Sequence, residues 1–117
     1  SKSSARYIPA DWDYNYGYSR YELKWDGNIQ SGSDRDWYYF YPKSPADHIC
    51  VQFTGQYKDV QIKSDQGYSA SSVTGYGGGQ VLCLYSWQYW NKIYVSIDPT
   101  YSSSGQGFYE ILAYQNV

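Results

Sequence analysis

The chain has 117 residues and a net charge of -2, so we expect a single domain without the basic footprint of a nucleic-acid-binding protein. No apolar run approaches the roughly 20 residues of a membrane-spanning helix. The aromatic content is high, with 17 Tyr, 5 Trp and 3 Phe. Because Tyr and Trp carry polar groups, many rings should be partly exposed, either as a binding surface or as decoration of solvated strands.

The N-terminal segment 1–10 is polar and contains a proline, which predicts a linker or a frayed end. No signal peptide is evident, so residues 1–117 are expected to be a single-domain mature protein or an excised module. The next segment, 11–22, begins with oxygen-bearing side chains at every second residue, a pattern that favours Ca²⁺ binding. Gly17 falls one position too late for an EF-hand loop. A calcium site of another geometry and a set of turn-capping carboxylates both remain open. The candidate calcium ligands are Asp11, Asp13, Asn15, Asp34 and Asp36.

Short alternating segments separated by turn residues dominate the rest of the chain. They predict an all-β fold, a single antiparallel β-sandwich of the jelly-roll type with seven or eight short strands. The predicted strands lie at 21–25, 36–41, 49–53, 57–63, 80–86, 90–97 and 107–114. Segment 68–76 is polar and rich in Ser, and is not assigned to a strand.

Cys50 and Cys83 point away from the core on two of the predicted strands. If those strands are neighbours, the two residues can form a cross-strand disulfide, which favours an extracellular protein. The alternative is a pair of small buried hydrophobic residues.

Segment 85–90 reads YSWQYW, with four rings in six residues between two strands. Large exposed rings are typical of a binding platform, although one Trp could instead cover an end of the sandwich. We expect Trp87, Tyr89 and Trp90 to stack on sugar rings, with Tyr39 and Tyr76 extending the surface. The hydroxyl-binding candidates are Gln88, Asn91 and Lys92.

Segment 27–41 reads GNIQSGSDRDWYYFY, a turn followed by acidic residues and an aromatic strand. This segment resembles the bacterial pre-peptidase C-terminal domain family, through Gly27, Ile29, Asp34 and the run from Asp36 to Phe40. The resemblance extends over about 22–114. It implies a small β-sandwich attached to a secreted hydrolase or protease, with Tyr38 and Phe40 inward and Asp36 at an acidic position that binds calcium in some relatives. Collagenase-associated relatives bind collagen through tyrosines of the penultimate strand, where this chain has Ile97 and Pro99.

Catalytic machinery is sparse in this sequence. His48 is the single histidine, and Cys50 is assigned to the disulfide. Asp34 and Asp36 form a carboxylate pair of the kind that glycosidases use, but they lie in a turn. We therefore predict a non-catalytic module that targets an attached hydrolase to a polysaccharide. The alternatives are a protein-binding module of the collagen-binding type and an accessory domain of a secreted protease.

Overall fold

The computed structural model describes residues 4–99 and 106–116, which form a sandwich of two five-stranded sheets. The strands are β1 (Arg6–Tyr7), β2 (Asp13–Asn15), β3 (Arg20–Ile29), β4 (Asp36–Phe40), β5 (Ile49–Thr54), β6 (Lys58–Ser64), β7 (Ser69–Val73), β8 (Gly79–Leu84), β9 (Ile93–Pro99) and β10 (Gly107–Asn116). The first sheet has the order β1-β4-β9-β6-β7 and the second has the order β2-β3-β10-β5-β8. The predicted all-β sandwich is confirmed.

The core lies between the sheets and is built mainly from alternate residues of the longer strands. On β9, Ile93, Val95 and Ile97 are fully buried, as the period of two predicts. Tyr38 and Phe40 of β4 also point inward, as the sequence resemblance implies. Gly27 on β3 is required by packing, because any Cβ at this position would overlap the hydroxyl of Tyr109.

The segment predicted as a linker is part of the first sheet from Arg6 onward. β1 pairs in parallel with β4, and the Ile8 N–H donates to the Tyr39 carbonyl at 2.9 Å. The Ile8 side chain is buried in the core. The linker prediction is therefore wrong for the described part of the segment, because one apolar side chain and a strand edge attach it to β4. Residues 1–3 lie outside the described residues.

Two further strands were not predicted. β2 forms a short hairpin with β3 inside the segment proposed for calcium binding. β7 pairs antiparallel with β6 and consists largely of Ser and Ala. Both strands are short or poor in apolar residues, so they depend on pairing with a longer neighbour rather than on their own hydrophobic pattern.

Cys50 and Cys83 are joined in a disulfide. They lie directly opposite each other on the neighbouring strands β5 and β8, on the outer face of the second sheet. The predicted cross-strand disulfide is confirmed, and the alternative of two unpaired cysteines is wrong.

Candidate functional site: an aromatic surface

The loop between β8 and β9 carries most of the predicted binding residues, and its first turn is closed by Gln88. Ser86–Gln88 forms a short 3₁₀ turn. The Tyr85 N–H donates to Gln88 Oε1 at 2.7 Å, and the Gln88 N–H donates to the Tyr85 carbonyl at 2.9 Å. Gln88 Oε1, which we expected to contact a ligand, is therefore engaged in holding the turn.

Tyr89 is buried, with 2 % of its surface exposed. Its hydroxyl shares one hydrogen between the Ser44 carbonyl, at 3.1 Å, and the Asp47 carbonyl, and it accepts from Gln115 Nε2 at 3.1 Å. Burial, followed by the charge of Asp47, raises the pKa of Tyr89 to about 12. The assignment of Tyr89 to the ligand surface is therefore corrected: its ring anchors the loop to the core and is not accessible for stacking.

Asp65 fixes the second half of the loop. Its carboxylate accepts from the Trp90 N–H at 2.8 Å and from the Asn91 N–H at 3.0 Å. The Asp65 N–H donates to the Lys92 carbonyl at 3.1 Å. Together with the contacts of Gln88 and Tyr89, these hydrogen bonds fix the backbone of the loop at both ends. The exposed rings are therefore attached to a backbone that is preorganised for binding.

The exposed rings of this region form what we call the loop cluster, composed of Tyr68, Tyr85, Trp87 and Trp90. Trp87 and Trp90 are 62 % and 66 % exposed, as their assignment to a surface requires. The planes of Tyr85 and Trp87 differ by 6°, with centroids 6.3 Å apart, and Tyr68 meets Trp87 edge-on at 5.3 Å. Two rings of the cluster thus present nearly parallel faces.

A second group of rings, the tyrosine face, covers the outer surface of the first sheet and consists of Tyr7, Tyr39, Tyr41 and Tyr94. Tyr39 lies 5.2 Å from Tyr7, 6.0 Å from Tyr41 and 6.2 Å from Tyr94 between ring centroids. Lys92 Nζ lies 4.4 Å from the Tyr39 ring and 5.0 Å from the Tyr94 ring. Its hydrogen bond to Tyr94 raises the pKa of Lys92, so the face carries a positive charge.

Lys92 follows Trp90 by two residues and so connects the loop cluster with the tyrosine face. Tyr39 and Lys92, both predicted from sequence, are brought together here. Tyr7, Tyr41 and Tyr94 were missed as site residues, Tyr7 because its segment was assigned to a linker. The alternation that places Tyr39 outward also places Tyr41 outward, since both have the same parity on the strand.

Tyr76 is 77 % exposed but belongs to the other end of the sandwich. It precedes β8, whereas Trp87 follows β8, and the six residues of that strand span about 20 Å. Its carbonyl accepts from Gln56 Nε2 at 2.8 Å, next to the β5–β6 turn. The structure therefore does not bring Tyr76 into one surface with Trp87.

The β2–β3 hairpin displays a third set of rings that the sequence reasoning did not assign. Tyr16 and Tyr18 are 86 % and 69 % exposed. Asn15 Oδ1 accepts from the Gly17 N–H at 3.0 Å and from the Tyr18 N–H at 3.3 Å. Asn15, a predicted calcium ligand, is thus occupied in capping this turn, as the alternative interpretation proposed.

The five predicted calcium ligands are not assembled into one site. Asp13 lies opposite Glu22 on β3, whereas Asp36 accepts from the Tyr109 hydroxyl at 2.5 Å near Gly27. Five residues of strand separate these two places on β3, about 17 Å. Asp34 accepts from the Gln30 N–H at 3.2 Å. Among the described residues, no group of three or more acidic, His or Cys side chains is placed to hold a metal ion.

His48 is exposed beside the disulfide-bonded Cys50, so a Cys–His pair of the kind weighed from the sequence does not exist in this structure.

Residues 4–99 and 106–116 contain no helix with the length and apolar character required to cross a bilayer.

Comparison with known proteins gives similarity at the level of structure. No protein-family model and no curated protein matches the chain in sequence. PliG of Salmonella Typhimurium, a periplasmic inhibitor of g-type lysozyme, has a TM-score of 0.56 at 15% identity, over 96% of this chain and 99% of PliG. A mutant of the Escherichia coli PliG gives a TM-score of 0.52 at 15% identity, over 96% of this chain and 99% of that one.

The pre-peptidase C-terminal domain of a Bacillus anthracis collagenase has a TM-score of 0.54 at 19% identity, over 78% of this chain and 88% of that domain. The resemblance noted in segment 27–41 therefore has a structural counterpart. At these identities the comparisons establish the fold: the chain adopts the β-sandwich shared by this collagenase domain and the PliG inhibitors.

Proposed function

We propose that this chain is a non-catalytic, extracytoplasmic module that binds a partner protein through the loop cluster and the adjoining tyrosine face. The observation that carries the proposal is the combination of exposed rings and a fixed backbone in the β8–β9 loop. Trp and Tyr are the residues that most often dominate the binding energy of protein interfaces. Because the loop is already ordered, little conformational entropy is lost when a partner covers these rings.

The structural neighbours support a protein partner more than a polysaccharide. One neighbour belongs to a collagenase, and the PliG proteins inhibit a lysozyme. Membership of the pre-peptidase C-terminal family, with an attached secreted protease, is the more specific form of this proposal. The disulfide and the periplasmic location of the PliG proteins support a secreted or periplasmic location.

Polysaccharide binding is the second candidate. The observation that favours it is the near-parallel arrangement of Tyr85 and Trp87, since flat rings of similar orientation suit successive sugar faces. Calcium dependence also stays a prediction. The predicted ligands are dispersed over the surface.

The deciding experiment is a binding assay of the isolated chain against fibrillar collagen, g-type lysozyme and a panel of insoluble polysaccharides, each with calcium and with chelator. We expect saturable binding to a protein, and a loss of about tenfold or more in the Trp87→Ala/Trp90→Ala variant, because both rings are exposed anchors. Tyr76→Ala is the matched control, since it removes an equally exposed ring from the opposite end.

Binding to a polysaccharide alone would establish the second candidate. Unchanged affinity in the Trp87→Ala/Trp90→Ala variant, with the fold intact by circular dichroism, would exclude the loop cluster as the contact surface in either case.

A further inference from the structure

The sandwich is open along one side, between β1 of the first sheet and β3 of the second. β2 pairs with β3 only from Arg20 to Glu22, and no other described strand pairs with the same edge from Leu23 to Ile29. A groove of about 590 Å³ includes residues 24–26 of this edge and extends across β10 and β5. The edge exposes a row of backbone groups of the kind to which an extended chain can add as a further strand.

The floor of the groove is aromatic and includes a buried polar atom without a partner. Trp25 packs edge-on against Tyr38 and Phe40, with centroids 5.6 Å and 5.8 Å away. Its indole Nε1 is buried and has no hydrogen-bond partner among the described residues. A buried donor of this kind is normally satisfied, so an acceptor on an incoming chain would complete the site.

The outer face of the groove carries two carboxylates. Asp26 on β3 lies directly opposite Glu110 on β10, and both side chains are exposed. Neither carboxylate forms an ion pair with a described residue. Like charges at directly opposite positions repel each other, so this pair favours a cation beside it. Lys24 lies on the same face two residues earlier. Its positive charge disfavours a cation opposite it, so a basic residue of an added strand is favoured opposite Asp26 and not opposite Lys24.

We propose that the free edge of β3 binds an extended segment of a partner protein as an added antiparallel strand. In this register a Lys or Arg of the segment lies opposite Asp26 and reaches both carboxylates. The neighbouring residue of the segment is apolar and lies opposite Trp25 on the inner side. Arg6 also lines the groove, but its guanidinium lies 5.7 Å from the centroid of the Tyr38 ring and forms no ion pair with either carboxylate.

The test uses two labelled, end-blocked peptides of alternating Thr and Val that differ at one central position, Lys in one and Glu in the other. We expect the folded chain to bind the Lys peptide about tenfold more tightly by fluorescence anisotropy, a difference that one favourable and one repulsive charge pair can supply. In the Asp26→Lys variant the preference should reverse to the Glu peptide. Amide hydrogen exchange of residues 24–28 should slow when the Lys peptide binds, because strand addition pairs their backbone groups.

Three results would overturn the proposal: no saturable binding, equal affinity for both peptides, or a charge preference without protection of the β3 amides. The last result would indicate surface attraction without strand pairing. The site does not depend on the loop cluster, so the Trp87→Ala/Trp90→Ala variant should bind the Lys peptide as the unchanged chain does.

Discussion

Tyr89 differs from the other rings of segment 85–90, because it is buried and structural while the others are exposed. The 3₁₀ turn at Ser86–Gln88 changes the direction of the chain, so Trp87 and Trp90 point to solvent while Tyr89 enters the core. The hydroxyl of Tyr89 then satisfies two carbonyl groups of the β4–β5 connection and one amide of β10. One side chain therefore connects the candidate binding loop to the β4–β5 connection and to β10.

Tyr89→Phe should destabilise the chain by about 1 kcal/mol at neutral pH, because the buried hydrogen bonds of the hydroxyl are lost while Gln115 Nε2 still donates to the Ser44 and Asp47 carbonyls. It should also change the response to alkali. Burial raises the pKa of Tyr89 to about 12, against about 10 in an unfolded chain. Stability from this group is fully present below pH 10, and the free energy of unfolding falls as the pH rises from about 10 to 12, since the unfolded state loses its proton first.

Urea denaturation at a series of pH values measures both effects. The slope between pH 10 and 12 should be smaller in Tyr89→Phe than in the unchanged chain, and Tyr85→Phe is the control on an exposed ring of the same loop. Equal slopes in the unchanged chain and Tyr89→Phe would show that Tyr89 does not contribute to the alkaline transition.

At the scale of the elements, the alternating strands were accessible from the sequence, whereas three of the four edge strands, β1, β2 and β7, were not. β5 and β9 carry three inward apolar residues each, so their period of two identifies both the strand and its buried face. β1 and β7 have no comparable signal, because what holds them is pairing with β4 and β6. The same limit applies to the site: exposure of Trp87 and Trp90 was predicted, whereas Tyr7 belongs to the tyrosine face only because β1 lies beside β4.

β1 should contribute measurably to stability, in contrast to the behaviour of a linker. Ile8→Ala should lower the free energy of unfolding by about 2 kcal/mol, since Ile8 is buried and its removal leaves a cavity at the edge of the core. Urea denaturation of this variant, with the exposed neighbour Ala10→Ser as control, measures the difference. If the two variants are equally stable, the segment is attached by its backbone alone.

For the whole molecule, the disulfide joins β5 to β8 within the second sheet, across a sequence separation of 33 residues. Closing a loop of this length restricts the unfolded chain by an amount worth about 3–4 kcal/mol. The Cys50→Ala/Cys83→Ala variant should therefore unfold at a clearly lower urea concentration, and the unchanged chain with reductant should show a similar loss. A change below about 1 kcal/mol in both would mean that the unfolded state is not appreciably restricted by the crosslink.

The order of strands in the two sheets has a consequence for the rate at which the chain reaches its structure. Of the eight strand pairings that the structure describes, β2–β3 and β6–β7 join strands consecutive in the chain, whereas the other six join distant segments. β3, for example, pairs along its length with β10 at the far end of the sequence. Loop-closure entropy opposes each of these pairings before its contacts form, so folding should take milliseconds to seconds rather than microseconds. A chain of this topology would expose its aromatic strands during that interval, and rapid formation of the Cys50–Cys83 crosslink would shorten it by bringing β5 and β8 together early.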